Sequence, residues 1–242
     1  MNKNTWQTAA MASIFVGLGC VVAQAQSAPP ALYGITFFAN QLIAIDTTNG
    51  AGTLAGPLNA TVSGYGIAAR YGRLYTFNPN TDQIVEIVTG TGLLGQSINI
   101  GVTNLAGEGD LAFRDDGTGF LASALHTNGS PANDFYSFDF IAGTSQRIGT
   151  TSEPVSALAF DSSNTLYALK KDGTNLYTIN QTSGSLTAVG ALGLAMSSPF
   201  AAMTFGPDGT LYAAINDQLY VLNKNTGLAS GLSTNVLDIA AC

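Results

Sequence analysis

Residues 157–190 read ALAF-DSSN-TLYAL-KKDGTN-LYTI-NQTSG-SLTAV-G. Four short runs of β-forming residues alternate with three polar turns. Asp161–Asn164 and Asn180–Gly184 are tight turns whose Asp, Asn, Ser and Gly side chains favour chain reversal. Asp172-Gly173 marks the loop between the second and third runs. Four antiparallel strands joined this closely make one small sheet, and the chain writes that sheet again on both sides. Residues 202–227 carry AMTF, the turn Gly206–Gly209, TLY, LYVL and the turn Asn223–Gly227. Residues 110–143 carry DLAF, Asp115–Gly117, FLA, FYSFD and a turn at Gly143, and residues 66–87 carry GIAA, LYTF and IVEI.

The Leu-Tyr or Phe-Leu strand returns near positions 32, 74, 120, 166 and 211. A period of about 45 residues built from short strands belongs to a stacked or radial array. The first copy opens at Leu32-Tyr33 with no strand before it, although Leu42–Ile45 and the turn Asp46–Gly50 follow. The missing piece stands at the other end, where Asp238–Ala241 (DIAA) matches Asp110–Phe113 and Gly66–Ala69. A linear stack needs polar capping repeats at both ends, and none is present in the sequence. The expectation is therefore an all-β, five-bladed β-propeller with four antiparallel strands per blade, closed by pairing of the C-terminal strand with the first blade. The Leu-Tyr pairs are expected in the packing between blades, and Asp46 and Asn180 as turn formers.

Residues 1–25 read as an export signal: Lys3, an apolar run from Ala9 to Ala23, then Ala23-Gln24-Ala25 as a small-x-small cleavage site before Gln26. Residues 26–242 form the single propeller domain, exported to the periplasm or the medium. Gly17-Leu18-Gly19-Cys20 offers a second reading, lipid attachment at Cys20, although Gly17 stands where Leu is expected. Cleavage leaves Cys242 without a partner in the chain, so burial rather than disulfides must hold the fold. No later run is long enough for a membrane span. Charged residues make up 10% of the chain and the net charge is -7. Such a surface repels phosphate backbones, which argues against nucleic acid as a partner. A monomer is expected.

The pattern Phe-x-x-x-Gly-Thr-Leu-Tyr at 205–212 and Leu-Tyr-x-Ile-Asn at 176–180 resembles the blades of bacterial exported β-propeller repeat proteins of unknown function and, more loosely, NHL-type blades. The resemblance spans roughly 32–241 and implies the fold; propellers host unrelated activities. The Trp of quinone-dependent dehydrogenase blades and the Trp-Asp signature are absent from the blades.

Sequence places the rim at two loops around the third blade, Gly95–Gly109 and Ser123–Asn133, and equates Gly66, Asp110, Ala157, Ala202 and Asp238 at the starts of the innermost strands. Two of these are carboxylates, with Glu108 beside them. Glu108, Asp110 and Asp238 are thus candidate ligand-binding residues at the channel mouth. They could hold a hard cation, calcium by chemistry, or serve as acid and base; no other cofactor is implied. Asp110 and Asp238 could equally bond backbone N–H groups of neighbouring strands. His126, the sole histidine, is a candidate loop contact. It has no Gly-x-Ser-x-Gly partner for nucleophilic catalysis and no second His for zinc. The main expectation is a non-catalytic module binding a protein, a carbohydrate (glycan) or a surface polymer through the long-loop face. The alternative is a hydrolase or lyase of glycoside or lactone type with carboxylates at the mouth. A third reading is an envelope structural part linked through Cys242.

Overall fold

Five antiparallel sheets follow one another along the chain in the computed structural model, which describes residues 31–36, 40–62, 66–102, 108–126, 129–196, 201–216 and 218–232. The first is β1 (Ala31–Ile35), β2 (Gln41–Asp46) and β3 (Gly52–Pro57). The second is β4 (Ile67–Arg70), β5 (Arg73–Asn78), β6 (Gln83–Ile87) and β7 (Leu94–Asn99). The third is β8 (Glu108–Phe113), β9 (Thr118–Leu125), β10 (Asp134–Asp139) and β11 (Thr144–Thr150). The fourth is β12 (Val155–Phe160), β13 (Leu166–Lys170), β14 (Asn175–Ile179) and β15 (Leu186–Ala191). The fifth is β16 (Ala201–Phe205), β17 (Leu211–Ile215), β18 (Gln218–Leu222) and β19 (Ala229–Gly231). Strand order within each sheet is the order of the chain. This is the five-bladed propeller, with four strands in four blades and three described strands in the first. The export signal, Cys20, Asp238, the ring-closing strand 238–241 and Cys242 lie outside the described residues.

Apolar side chains gather between neighbouring blades, and this explains the Leu-Tyr repeat. Successive residues of a strand point to opposite faces. Leu74 packs with Ile35 and Leu42 of the preceding blade, whereas Tyr75 packs with Leu111 and Leu121 of the following one. Leu166 faces back to Ala112 and Phe135, and Tyr167 faces forward to Phe205 and Met203. Both faces of every second strand are thus buried, so the strand reads as a continuous apolar run rather than an alternating one. Blade three exchanges the pair. Gly119 stands where the other blades have Leu, and a Cβ there would lie 2.1 Å from the ring of Phe138. Phe138 occupies the register position that Ile87, Ile179 and Leu222 hold elsewhere. A large ring opposite Gly replaces two medium side chains, conserving volume as close packing demands.

The turns between third and outermost strands are built alike. Asp46 Oδ1 accepts the N–H (2.8 Å) and hydroxyl (2.7 Å) of Thr48, and Asn180 Oδ1 accepts those of Thr182 at 2.9 and 2.8 Å. Asp46 and Asn180 are turn formers, as expected from the sequence. Each turn ends on a left-handed Gly whose N–H reaches back to the first residue, as Gly227 does to the Asn223 carbonyl at 2.7 Å. Blades are also tied at this end by Lys224 of blade five. It donates to Asp161 Oδ2 at 2.8 Å, while Asp161 Oδ1 accepts from Ser163 and Thr165 of its own turn. Asp161 is 4% exposed; these bonds outweigh its burial and hold its carboxyl below the ordinary range.

Two loop boundaries differ from expectation. Residues 95–99, read as loop, belong to the outermost strand β7, and Ser123–Leu125 belong to β9. Outermost strands face solvent along much of their length, as the exposed positions of β7 and β11 show, so their sequences lack the apolar signal. The connections 58–66, 100–107 and 192–200, each from an outermost strand to the next innermost one, are of similar length. The rim therefore is not concentrated around blade three.

Candidate active site

The innermost strands β4, β8, β12 and β16 begin at one end of the wheel, where the long connections also lie. The strand register confirms Gly66, Asp110, Ala157 and Ala202 as equivalent, since Ala69, Phe113, Phe160 and Phe205 each oppose the same position of the second strand. β8 and β12 each extend two residues further toward that end, to Glu108 and Val155. The two carboxylates of β8 have different surroundings.

Asp110 is fully buried. Its Oδ1 accepts the Leu111 N–H at 2.8 Å, and its Oδ2 accepts the Leu158 N–H of β12 at 2.7 Å. It stitches the innermost strands of blades three and four, close to the axis where backbones run side by side. The neighbouring tie between blades two and three is made by backbone alone, from the Gly66 N–H to the Gly109 carbonyl at 3.3 Å.

Glu108 is 2% exposed, and neither carboxylate oxygen has a hydrogen-bond partner among the described residues. Burial pushes its pKa up to about 8; Lys171 pulls it down and Asp172 pushes it up. Both of these belong to the loop between β13 and β14 of the adjacent blade, where Lys171 is ion-paired with Asp172. A β-bulge sits at the same point. The pairing of β8 with β9 steps from Glu108–Leu125 to Gly109–Ser123, and such bulges re-aim a side chain at a strand end. A carboxyl that stays protonated at neutral pH and ionises just above it is matched to proton transfer.

His126 directly follows Leu125, the register partner of Glu108, so it belongs to the same rim. It opens the loop 126–133 through backbone bonds to Ser130 and Gly129. Among the described residues its ring makes no hydrogen bond to Glu108, whose oxygens have no partner there. The structure thus brings Glu108, Asp110 and His126 to one sector of the mouth, and Asp238 lies outside the described residues. Sequence reasoning missed Lys171. Its signal was present as Lys170-Lys171-Asp172, a dense run of charge in a chain with few.

Calcium takes six to eight oxygens. Glu108 offers two, both oxygens of Asp110 are engaged by backbone, and the described residues contain no group of three acidic, His or Cys ligands. These residues do not complete a cation site. No helix among the described residues is long and apolar enough to cross a membrane.

No protein-family model matches the chain, and no curated protein does. Solved structures do. A gluconolactonase from Xanthomonas campestris is similar at a TM-score of 0.56 and 15% identity over 96% of this chain and 82% of that one. A second structure, assigned as a gluconolactonase, gives 0.57 and 13% over 83% and 72%. A protein of unknown function from Bacteroides thetaiotaomicron gives 0.50 and 16% over 92% and 64%. At these identities the likeness establishes the fold, a propeller of the gluconolactonase type. The expectation of a non-catalytic binding module is corrected by the same finding: the similar structures include one described as a gluconolactonase and one assigned as such.

Proposed function

We propose that this protein is a lactone hydrolase working at the mouth of the innermost strands, with Glu108 as its general base. The carrying observation is the buried, unpartnered Glu108 carboxylate with its pKa near 8. In its ionised form Glu108 takes a proton from water as the water oxygen bonds to the lactone carbonyl carbon. The carbonyl oxygen becomes an oxyanion, and Lys171, whose charge already acts on Glu108, is the cation placed to stabilise it. Re-forming the carbonyl breaks the ring C–O bond, and the departing oxygen takes the proton back from Glu108. The product is the open hydroxy acid. A glycosidase needs two available carboxyl groups, and Asp110 has both oxygens committed to backbone N–H groups; this favours the lactone over the glycoside.

The test is a pH-stat assay of gluconolactone opening against an enzyme-free blank, with and without a chelator and added calcium. We expect turnover that rises through pH 8 and falls by about 10²-fold or more in Glu108→Gln. Turnover at the blank rate, or a Glu108→Gln variant as fast as the parent, sinks the proposal. Loss of turnover on chelation would assign a cation to this mouth.

The same proposal gives the fourth strand of blade one to Asp238–Ala241, supported by its match to Asp110–Phe113 and by a first sheet of only three described strands. Asp238 then joins the mouth. A chain ending at Leu232 is expected to lose its single cooperative melting transition, because blade one would keep an open innermost edge. An unchanged melt would refute closure by this strand. With residues 1–25 as the export signal, the reaction takes place outside the cytoplasm.

A further inference from the structure

Arg70 ends β4, at the opposite end of the strand from the mouth. Among the described residues it is the one cation without a carboxylate in ion-pair range, since Arg73, Arg114, Arg147, Lys170, Lys171 and Lys224 each have one. Its Nε is buried and unbonded. The guanidinium is held by rings instead, 4.9 Å from the centroid of Tyr71, 5.6 Å from Phe113 and 5.4 Å from Phe140. Gly117 makes room for it, because a Cβ there would lie 2.7 Å from the guanidinium. The chain thus desolvates one face of a cation that has no ion-pair partner among the described residues, with Asp139 acting on it from longer range.

Arg70 lines a cavity of about 340 Å³, a volume suited to a small molecule. Thr118, Ser137, Ser145 and Gln146 are among its other lining residues. So are Asp116 and Asp139, and both are already supplied with donors. Asp116 is engaged by Arg114 and the Thr118 N–H, which hold its carboxyl well below the ordinary range. Asp139 accepts the Ile141 and Ala142 N–H groups through Oδ1. Two carboxylates beside one guanidinium disfavour a compact polyanion such as phosphate. They suit a ligand that carries one negative charge for Arg70 and hydroxyl donors for Asp116 and Asp139.

The rim supplies a second observation. Ile141 is 80% exposed and Tyr71 is 75% exposed. Tyr71 has φ +49° and Gly72 φ +78°, the two-residue hairpin turn in which Asn or Gly is at ease and a bulky side chain is not. The strained Tyr71 keeps its ring over Arg70 rather than turned to a neighbouring core.

We propose that the Arg70 cavity binds a monosaccharide-sized sugar acid, its carboxylate on Arg70 and its hydroxyls on Asp116 and Asp139. The site is separate from the mouth, and the inference does not require the lactonase reading. Calorimetric titration of the whole folded chain with gluconate, glucuronate, glucose and acetate tests it. Both sugar acids are expected to bind, with glucose and acetate each weaker by roughly ten-fold or more. Arg70→Gln should weaken sugar-acid binding about ten-fold. Ile141→Asp, a change at an exposed rim position that leaves the fold alone, should also weaken it by opposing the ligand's charge. Glu108→Gln should leave it intact. The proposal falls if no sugar acid binds, if glucose binds as well as gluconate, or if both rim and Arg70 variants bind as the parent does. Binding lost in Glu108→Gln but kept in Arg70→Gln would also overturn it, by placing the ligand at the mouth, and would leave the lactonase proposal standing.

Discussion

Replacing Glu108 by Gln should raise the melting temperature at pH 9 and leave it nearly unchanged at pH 5, while removing hydrolysis. The reason is that the fold holds this carboxyl against its own chemistry. Its pKa is about 8 in the folded chain, against 4.5 for the ordinary group. Below pH 4.5 both folded and unfolded chains carry the proton and burial costs nothing in charge. Between 4.5 and 8 the unfolded chain releases it while the folded chain keeps it, so stability falls as pH rises. Above 8 both are ionised and the full cost is present, on the order of 4–5 kcal/mol at about 1.4 kcal/mol per pKa unit. Gln keeps the shape and never ionises. At roughly 2–4 °C per kcal/mol for a chain of this size, the variant should melt about 10 °C higher at pH 9. Thermal melts at the two pH values decide it; an equal difference at both would show that Glu108 is not buried with a raised pKa. Stability given up at one residue is the trade-off that the proposed catalytic role of Glu108 entails. Asp110, satisfied by two backbone N–H groups, shows the structural kind on the same strand.

The second large effect is expected at the seam between blades four and five. Gly227 ends the turn of blade five at φ +82°, and a Cβ there would lie 2.3 Å from the Gly190 carbonyl oxygen. Gly190 lies where the pairing of β14 with β15 shifts register, and a Cβ on it would lie 2.0 Å from the Thr226 carbonyl oxygen. Two backbones touch with no side chain between them. Gly227→Ala adds left-handed strain to a clash with backbone that cannot rotate away, and should cost about 3 kcal/mol or more. Gly209→Ala is the control. Its φ is +80° but nothing lies within 4 Å of the added methyl, so about 1 kcal/mol of strain is all it should cost. Urea denaturation of the three chains gives the comparison, and equal midpoints for the two variants would show that the blades do not meet as described.

The repeat was legible because each of its signals is local. Turns at Asp46, Asn180 and Asn223 close through side chains two residues from the backbone they bond, and the Leu-Tyr strands advertise burial on both faces. The same locality explains the failures. β7 faces water, so Gln96 and Ser97 looked like loop. The exposure of Ile141 and Tyr71 could not be told from any other apolar residue near a turn.

Sequence alone determined the blade count, the strand order and the near-axial placement of Asp110, because strand and turn periodicity depends on neighbours along the chain. Only the tertiary structure decided that Asp110 is sealed by the Leu158 N–H while Glu108, two residues away, is buried and unbonded. It alone left Arg70 without an ion-pair partner among the described residues. Charge and hydrogen-bond state depend on what adjacent blades bring within about 3 Å, and residues 48 or 63 positions apart in sequence, such as Asp110 and Leu158 or Asp161 and Lys224, meet only once the blades have packed.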